Sequence, residues 1–227
     1  FITFTKIIRT VHSFTEENYL KAIYKLQETN GEVVATSALA QVMGVHAPSV
    51  TDMLKRMGQK KLVSYQKSKG VKLTEKGRQV AIGIVRNHRL WEVFLVEKLG
   101  YGWDEVHDIA EQLEHIQGEE LINKLDAYLG FPKTDPHGDP IPDAKGVLPK
   151  LKSVLLSSLK EGEEATFTGV SDHSTSFLHY LDKAGIALGD MLKVKSIEQY
   201  DQTYTLALKG KREVTVSHKV ANSILVS

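Results

Sequence analysis

The 227-residue sequence predicts a mainly α fold: a winged helix-turn-helix at the N-terminus, further amphipathic helices after it, and a small β-barrel at the C-terminus. Three observations lead to this prediction. Apolar residues recur at helical spacing through most of residues 14–128. A pattern of two helices is followed by a short basic hairpin. Beyond a stretch at residues 131–149 that holds five of the six prolines, the pattern changes to short runs of β-forming residues.

The N-terminal elements follow one another closely. FTEENYLKAIYKLQE predicts a helix with Thr15 as its N-cap. ATSALAQVMGVHAPSVTDMLKRM predicts two helices separated at Gly44, and Pro48 falls in the first turn of the second, where a missing N–H costs little. LVSYQKSKGVKLT alternates apolar and polar residues on both sides of Lys69-Gly70, which predicts a two-stranded hairpin, or wing.

The remaining elements divide at the proline-rich stretch. Before it, TEKGRQVAIGIVRNHRLWEVFLVEKLG predicts a long helix that ends at Gly100, and WDEVHDIAEQLEHIQG and GEELINKLDAYLG predict two more. After it, EATFTGV, MLKVKSIEQ, TYTLALKG and REVTVSH are predicted strands, with one helix at STSFLHYLDKAG. A small barrel of about 65 residues fits this pattern.

The net charge of +1 conceals an uneven distribution. Nine Lys or Arg residues lie between Lys55 and Arg78 against one acid, Glu75, which is the electrostatic pattern of a module that binds a polyanion. Residues 104–120 contain seven acids and no Lys or Arg. The basic and the acidic residues are therefore concentrated in different segments of the sequence, which indicates that these segments have different functions.

The basic segment is interpreted as a DNA-binding surface. In a winged helix the second helix of the turn motif enters the major groove, and lysines on the wing contact phosphate. The predicted DNA-contacting residues are Pro48, Ser49, Thr51, Asp52, Lys55, Arg56, Lys67, Lys69 and Lys72. The alternative is a solvated basic hairpin on a winged helix that binds protein. The helix-turn-helix and the basic wing arriving in order favour DNA.

The acidic segment is interpreted as a metal site. Two imidazoles and two carboxylates share an arc of about 100° on one helix: His107, Glu111, Glu114 and His115. His88 and Glu92 form a further i, i+4 pair on the preceding helix. A solvated polar face is the alternative. A divalent cation would relieve the repulsion of such an acidic face, and two neighbouring sites account for the number of ligands.

Composition excludes several other classes. The absence of cysteine excludes disulfides and thiol catalysis and limits metal ligands to nitrogen and oxygen donors. The apolar runs fall short of the roughly 20 residues that a membrane span needs, so a cytoplasmic protein with no membrane partner is expected. A metallohydrolase is a rival interpretation of the His/Glu cluster. It leaves the basic wing unexplained and no HExxH pattern accompanies it, so no enzyme activity and no small organic substrate are predicted.

Several segments together resemble a known family: TEENYLKAIYKL, VHAPSVTDMLKRM, GVKLTEKG, NHRLWEVFL, EVHDIAEQLEH and PHGDPIP. The chain from about Thr15 is similar to the metal-dependent repressors that include the diphtheria toxin repressor, the iron-dependent regulators and the manganese transport regulators. The resemblance implies a winged-helix domain at 12–77, a helical metal-binding and dimerisation domain at 78–142, a linker at 143–157 and an SH3-like, FeoA-type domain at 158–227. Residues 1–11 precede the family-like start and receive no role.

The resemblance also implies ligand sets. The primary site would comprise Asn18, Glu111, Glu114 and His115, and the ancillary site His88, Glu92 and His107. Further candidate ligands are Asp135, His137, Asp172 and His173. Two positions depart from the family pattern. Asn18 is neutral where manganese-type members have an acid, and Lys21 replaces an acid of some two-domain manganese regulators, so their binuclear arrangement is not assumed.

The expected function is that of a homodimeric repressor whose binding to a palindromic operator in double-stranded DNA depends on metal. Glu111 stands where iron-type members have cysteine, and carboxylate, imidazole and amide donors favour Mn²⁺, with Fe²⁺ as the alternative. Other divalent transition metals should bind in vitro. A metal-independent winged-helix DNA-binding protein is the second functional alternative.

Overall fold

The computed structural model of the protein describes residues 12–116, 118–208 and 212–227. Residues 1–11, to which the sequence assigns no role, lie outside the described residues. The described part of the chain divides into two compact units, with the division between Val85 and Arg86. Each unit has its own buried apolar core. No helix in the described ranges combines the length and the hydropathy needed to cross a bilayer.

The first helix begins earlier than predicted. Helix α1 is Phe14–Asn30, and its N-cap is Ser13 rather than Thr15. The Ser13 hydroxyl accepts the Glu16 N–H at 3.2 Å, and the Glu16 carboxylate accepts the Ser13 N–H at 3.1 Å. This reciprocal capping box satisfies two N–H groups that a helix start leaves unpaired, whereas a cap at Thr15 would satisfy only one.

The predicted helix-turn-helix is present in the first unit. Helix α2 is Thr36–Met43 and helix α3 is Ala47–Gln59. Gly44 adopts a left-handed conformation with φ of 63°, and Pro48 lies in the first turn of α3. Both residues do what the sequence predicts, because glycine enters the left-handed region without strain and proline needs no N–H partner there. Leu39, Val50, Leu54 and Met57 bury the facing sides of the two helices.

The wing is a two-stranded hairpin held by a third segment. Strand β1, Val63–Gln66, pairs antiparallel with strand β2, Gly70–Leu73. The backbone N–H and C=O of Val34 also pair with Val71, at 2.8 and 2.9 Å. Gly70 has φ of 110°, and a Cβ there would lie 2.4 Å from the Val34 carbonyl oxygen. Glycine is therefore required where the wing meets this third segment.

Three helices follow the wing. Helix α4 is Glu75–Leu99, helix α5 is Val106–Leu113 and helix α6 is Glu119–Tyr128. Within the second unit, α4 packs on α5 through Leu95 and on α6 through Leu90 and Val93. The buried Arg86 of α4 also binds Asp126 of α6 at 2.7 Å. The C-terminal half of α4 is thus the scaffold on which α5 and α6 are placed.

The C-terminal segment forms a six-stranded antiparallel sheet with strand order β3-β8-β4-β5-β6-β7. Its strands are Val154–Leu155, Glu164–Val170, Met191–Ile197, Tyr204–Leu208, Arg212–Val216 and Ile224–Val226, numbered β3 to β8 in chain order. A 3₁₀ turn at Leu156–Ser158, helix α7 at Thr175–Ala184 and helix α8 at His218–Ala221 complete the segment. Phe167, Phe177, Leu181 and Leu206 contribute to its core.

The predicted helices, wing and C-terminal β-strands are present, but the label "mainly α" does not fit the share of strand. Helices hold 46% of the described residues and strands hold 19%. The described part of the chain is therefore a mixed fold of eight helices and a six-stranded antiparallel sheet, with the two-stranded wing in addition. The prediction weighed the long helical patterns of residues 14–128 heavily. The C-terminal segment lowers the share of helix in the whole fold, because its backbone hydrogen bonds join neighbouring strands rather than successive turns of a helix.

Candidate metal centre and DNA-binding surface

The predicted DNA-contacting side chains line the exposed side of α3 and the tip of the wing. All are exposed except Thr51, which is half-buried: Pro48, Ser49, Thr51, Asp52, Lys55, Arg56, Lys67, Lys69 and Lys72. Their backbones are fixed by the buried faces of α3 and the hairpin. This combination of rigid backbone and solvent-facing cations suits contact with a polyanion.

Two of the basic residues on this surface also contact acids. Lys55 lies 3.4 Å from Asp52 on the same helix, and Lys72 lies 3.2 Å from Glu32. Both pairs are exposed, and exposed ion pairs of this kind contribute about 0–1 kcal/mol, so a phosphate can replace the acid at small cost. Asp52, which is itself a predicted DNA-contacting residue, is thus also within ion-pair distance of Lys55.

A group of buried and partly buried imidazoles and carboxylates lies in the second unit. We name it the His/Glu cluster. Its members come from α4, from α5 with the residue after it, and from the proline-rich loop: His88, Glu92, His107, Glu111, Glu114, Asp135 and His137. Three subsets each hold ligand atoms within 4.8 Å of one another, namely His88–Glu92–His107, His88–Glu111–Glu114 and Glu92–Asp135–His137.

Glu92 is the hub of the His/Glu cluster. One carboxylate oxygen lies 3.0 Å from His88 Nε2 and 3.4 Å from His107 Nδ1. The other lies 3.6 Å from His137 Nδ1. The carboxylate is 2% exposed, so its negative charge is compensated by the surrounding imidazoles rather than by water.

His88 joins the two halves of the cluster. Its Nδ1 lies 2.7 Å from the Glu114 carboxylate, while its Nε2 faces Glu92. Glu114 follows the last residue of α5, and its side chain has no exposed surface. A solvated polar face therefore does not describe Glu114. His115 is also buried, with Nε2 at 3.8 Å from Glu114, whereas His107 and Glu111 are partly exposed, at 42% and 34%.

The proline-rich loop is tied to α4 by Arg89. The guanidinium donates to the Pro140 carbonyl oxygen at 2.6 Å and to the Asp139 carboxylate at 3.0 Å, and lies 3.6 Å from Asp135. The Asp135 carboxylate in turn accepts the backbone N–H groups of His137 and Asp139, at 2.8 and 3.0 Å. These bonds fix the turn that directs His137 towards Glu92.

His137 is held at both ring nitrogens. Nε2 lies 2.7 Å from the backbone carbonyl oxygen of Trp103, and Nδ1 faces Glu92. A carbonyl oxygen only accepts, so Nε2 carries the proton. In the neutral ring the lone pair then resides on Nδ1, which is the nitrogen that faces the cluster. A backbone carbonyl in this position is typical of histidines that bind metals.

Burial and the neighbouring charged groups shift the pKa values of three members of the His/Glu cluster. Burial raises the pKa of Glu92, but hydrogen bonds from the three imidazoles outweigh burial and hold this pKa far below its usual range. Burial lowers the pKa of His137, and the Glu92 carboxylate more than reverses this, raising the pKa to about 9. Burial, reinforced by Glu92 and Asp139, raises the pKa of Asp135 to about 7. Protons therefore occupy positions that a cation could take.

The other predicted ligands belong to none of these three subsets in the described ranges. Asn18 belongs to α1 in the first unit; its amide oxygen is buried and has no hydrogen-bond partner among the described residues. The Asp172 carboxylate accepts the Ser174 N–H at 2.9 Å. The His173 ring lies 5.2 Å from that of His137, with Nε2 at 3.9 Å from Asp139. Neither Asp172 nor His173 joins a three-ligand subset in the described ranges.

Two residues around the cluster were missed by the sequence analysis. Arg89 anchors the proline-rich loop, and Trp103 supplies the carbonyl that His137 binds. Arg89 stands next to the predicted ligand His88, but an arginine beside a histidine on a helix carries no signal of its own. Its partners are about fifty positions away, and the contact exists only once the loop has folded back.

The donor set fits a divalent transition metal. Imidazole nitrogens and carboxylate oxygens lie together in a buried place, and no thiolate is available because the chain has no cysteine. Such donors suit Mn²⁺ and Fe²⁺, and they also bind Co²⁺, Ni²⁺ and Zn²⁺.

Comparison with protein-family models gives three matches along the chain. Residues 13–71 match the N-terminal DNA-binding domain of iron-dependent repressors, and residues 74–143 match their metal-binding and dimerisation domain. Residues 154–227 match the FeoA domain.

Individual relatives cover nearly the whole chain. The iron-dependent repressor IdeR of Mycobacterium tuberculosis is 30% identical over 224 residues, which are 93% of this chain and 96% of the relative. A solved manganese-dependent transcriptional repressor in complex with manganese is 37% identical with a TM-score of 0.85, covering 93% of this chain and 99% of that one. ScaR with bound Zn²⁺ is 33% identical with a TM-score of 0.73, covering 93% and 98%.

Proposed function

Because the chain belongs to the iron-dependent repressor family, we propose that it is a homodimeric transcriptional repressor that binds a palindromic operator in double-stranded DNA when Mn²⁺ or Fe²⁺ is bound. The family consists of transcriptional repressors, so the protein is a DNA-binding regulator and not a metallohydrolase. The dimer follows from the match of residues 74–143 to a dimerisation domain.

One observation carries this proposal. A buried carboxylate, Glu92, is surrounded by imidazoles from three separate segments in a chain that also presents an exposed, basic winged helix. Stability alone does not explain the His/Glu cluster, because buried charges are often neutral or unfavourable for stability compared with apolar packing. A cation that is sensed and a polyanion that is bound account for both features.

We assign the ligands to two sites. The proposed primary site, which would act as the switch and is called the switching site below, comprises Glu111, Glu114 and His115 with Asn18. The proposed ancillary, or supporting, site comprises His88, Glu92 and His107. Asp135 and His137 are candidate additions to the supporting site because they share Glu92, and Asp172 and His173 remain more remote candidates. A bound cation would neutralise these carboxylates and replace the protons that now lie between them.

Both Mn²⁺ and Fe²⁺ agree with the relatives, which include an iron-dependent repressor and a manganese-dependent repressor bound to manganese. Glu111 supplies oxygen where iron-type members have sulfur. This favours Mn²⁺, since harder ligands suit the harder ion. Zn²⁺ bound to ScaR indicates that such sites accept other ions in vitro.

The proposed domains divide the work. Residues 12–77 bind DNA, residues 78–142 bind metal and dimerise, residues 143–157 link, and residues 158–227 form the SH3-like, FeoA-type domain. The recognition helix α3 would place its N-terminal turn in the major groove. Lys67 and Lys69 would hold the phosphate backbone. Metal changes DNA affinity only if it binds the DNA-competent arrangement better than the alternatives.

The test is DNA binding titrated with metal. Operators would first be selected from a random duplex library in the presence of Mn²⁺. Affinity for the selected duplex would then be measured under anaerobic conditions with Mn²⁺, with Fe²⁺ and with a chelator. We expect a rise in affinity with either metal and a return to weak, salt-sensitive binding with the chelator.

Equal affinity in all three conditions would overturn the metal-dependent function. That outcome would favour the second candidate, a winged-helix protein that binds DNA without metal, for which the exposed basic wing is the supporting observation. If the protein selects no duplex from the library, both the metal-dependent and the metal-independent DNA-binding functions are overturned.

A further inference from the structure

The C-terminal domain is in direct contact with the loops that frame the His/Glu cluster. Trp103 lies in the loop between α4 and α5. Its indole Nε1–H donates to both carboxylate oxygens of Asp182 on α7, at 3.1 Å each. The Trp103 ring also packs against the apolar core of the C-terminal domain. In the same loop, Asp104 lies 2.5 Å from His179, one turn before Asp182 on α7.

The proline-rich loop is seated on the same domain. The His137 carbonyl oxygen accepts the Val170 N–H of β4 at 2.9 Å. Gly138 approaches β4 so closely that a Cβ would lie 2.1 Å from the Thr168 carbonyl oxygen. Both partners of the Trp103–His137 hydrogen bond are therefore located by the C-terminal domain rather than by the helices alone.

We propose that Trp103 is a positioning residue through which the C-terminal domain controls the metal affinity of the His/Glu cluster. The Trp103 carbonyl selects the His137 ring nitrogen that carries the proton, and the Trp103 indole ties that carbonyl to Asp182. Release of the indole from α7 frees the loop, and His137 then loses the acceptor that keeps its Nδ1 lone pair directed at Glu92. The inference rests on the proposed function, since it concerns regulation of the same metal site.

Thermodynamic linkage makes the effect reciprocal. If docking of the C-terminal domain strengthens metal binding, then bound metal strengthens the docking by the same free energy. Trp103 is one of only two tryptophans in the chain, the other being Trp91, so its surroundings can be followed separately. The indole bond to Asp182 can be removed by substitutions at either end, and neither side chain is a proposed ligand.

The first experiment compares Mn²⁺ affinity in the full-length protein by calorimetric titration. Asp182→Ala and Trp103→Phe should each weaken the site that includes His137 by roughly tenfold, the lower end of what changes behind a ligand produce. That site is identified as the one lost in His137→Ala. The double variant should be no weaker than either single one, because both remove the same bond.

Two further variants separate positioning from general damage. Asp182→Asn keeps an oxygen that accepts the indole N–H and should retain most of the affinity. Glu198→Ala removes another exposed acid from the same domain, at the end of β5, and should behave as the wild type. The inference would be overturned if Asp182→Ala bound Mn²⁺ as tightly as the wild type does. It would also be overturned if Asp182→Ala and Glu198→Ala lost Mn²⁺ affinity to the same extent.

The second experiment observes Trp103 directly. In protein labelled with 5-fluorotryptophan, the two ¹⁹F resonances are assigned by the Trp103→Phe variant. Asp182→Ala should shift the Trp103 resonance alone, and Zn²⁺, a diamagnetic probe, should shift it in the wild type. If Zn²⁺ does not shift the Trp103 resonance, the coupling between the metal site and the Trp103 contact is contradicted. The proposed function is contradicted by a different result, namely a DNA affinity of the wild type that metal does not change.

Discussion

Glu111 and His115 are the residues at which the switching site can be tested most directly. Glu111 is one-third exposed on α5, so Glu111→Ala should keep the fold and the dimer. It should weaken metal binding by more than the roughly 10–100-fold that changes behind a ligand cause, and it should abolish metal-stimulated DNA binding. His115→Ala should act in the same way. Gel filtration and DNA affinity with Mn²⁺ would be measured.

The matched control is Asp108→Ala, which removes an exposed acid from the first turn of the same helix. This variant should bind metal and DNA as the wild type does. Equal losses in Asp108→Ala and Glu111→Ala would mean that general acidity of α5, rather than a ligand set, is responsible.

The pKa of His137 predicts a pH dependence. The pKa is raised from 6.5 to about 9 by Glu92, in spite of burial. The proton on His137 therefore stabilises the metal-free fold fully below about pH 6.5, and this contribution is lost as the pH rises through about 9. A metal must displace that proton, so metal affinity should rise with pH until about 9 and release roughly one proton in this range.

Calorimetric titration of Mn²⁺ in two buffers of different ionisation enthalpy counts the protons. His137→Gln should lose the proton released between pH 7 and 9, whereas His46→Ala, a change at an exposed histidine of the first unit, should retain it. A proton count that does not vary with pH would contradict the assignment of the raised pKa to His137.

Among the elements, the wing offers the sharpest test of DNA binding. Its strands and Gly70 fix the loop that carries Lys67 and Lys69, and both side chains are exposed. Replacing both with alanine should weaken binding to specific and non-specific duplexes alike. The slope of log affinity against log salt should fall by about 2, since each phosphate contact contributes about 0.9.

Lys193→Ala and Lys195→Ala together provide the control, because they remove two exposed cations from β5 in the C-terminal sheet. The salt slope should not change in that double variant. If it falls as much as in the wing variant, the basic surface that binds DNA is broader than the winged helix.

For the molecule as a whole, metal binding should appear as stability. A ligand that binds only the folded state stabilises it by about 2.7 kcal/mol at 100 times its Kd. For a unit of this size, that corresponds to a rise in Tm of roughly 5–10 °C. Scanning calorimetry with Mn²⁺ should show this rise and its reversal by a chelator. Mg²⁺ at the same concentration should have little effect, since it disfavours imidazole ligands; equal shifts for both ions would contradict a nitrogen-containing site.

Much of the organisation could be predicted from the sequence because it depends on near neighbours. Gly44 and Pro48 mark the turn and the start of α3, and alternation around Lys69-Gly70 marks the wing, because each of these preferences is local. The N-cap at Ser13 was missed although its box is also local, since Thr15 offered a competing cap. The four longer C-terminal strands were also predicted from local alternation, whereas the short strands β3 and β8, which pair with each other over a long separation, were not.

The sequence by itself determined the winged helix, the basic wing and the His/Glu spacing of α4 and α5, because periodicity, turn chemistry and charge are properties of contiguous residues. Only the tertiary structure decided that Glu92 is a hub reached by His137, and that Arg89 and Trp103 hold the loop that brings His137 there. The reason is physical. Those contacts join residues 34 to 51 positions apart, and they form only when the proline-rich loop is packed between α4 and the C-terminal sheet.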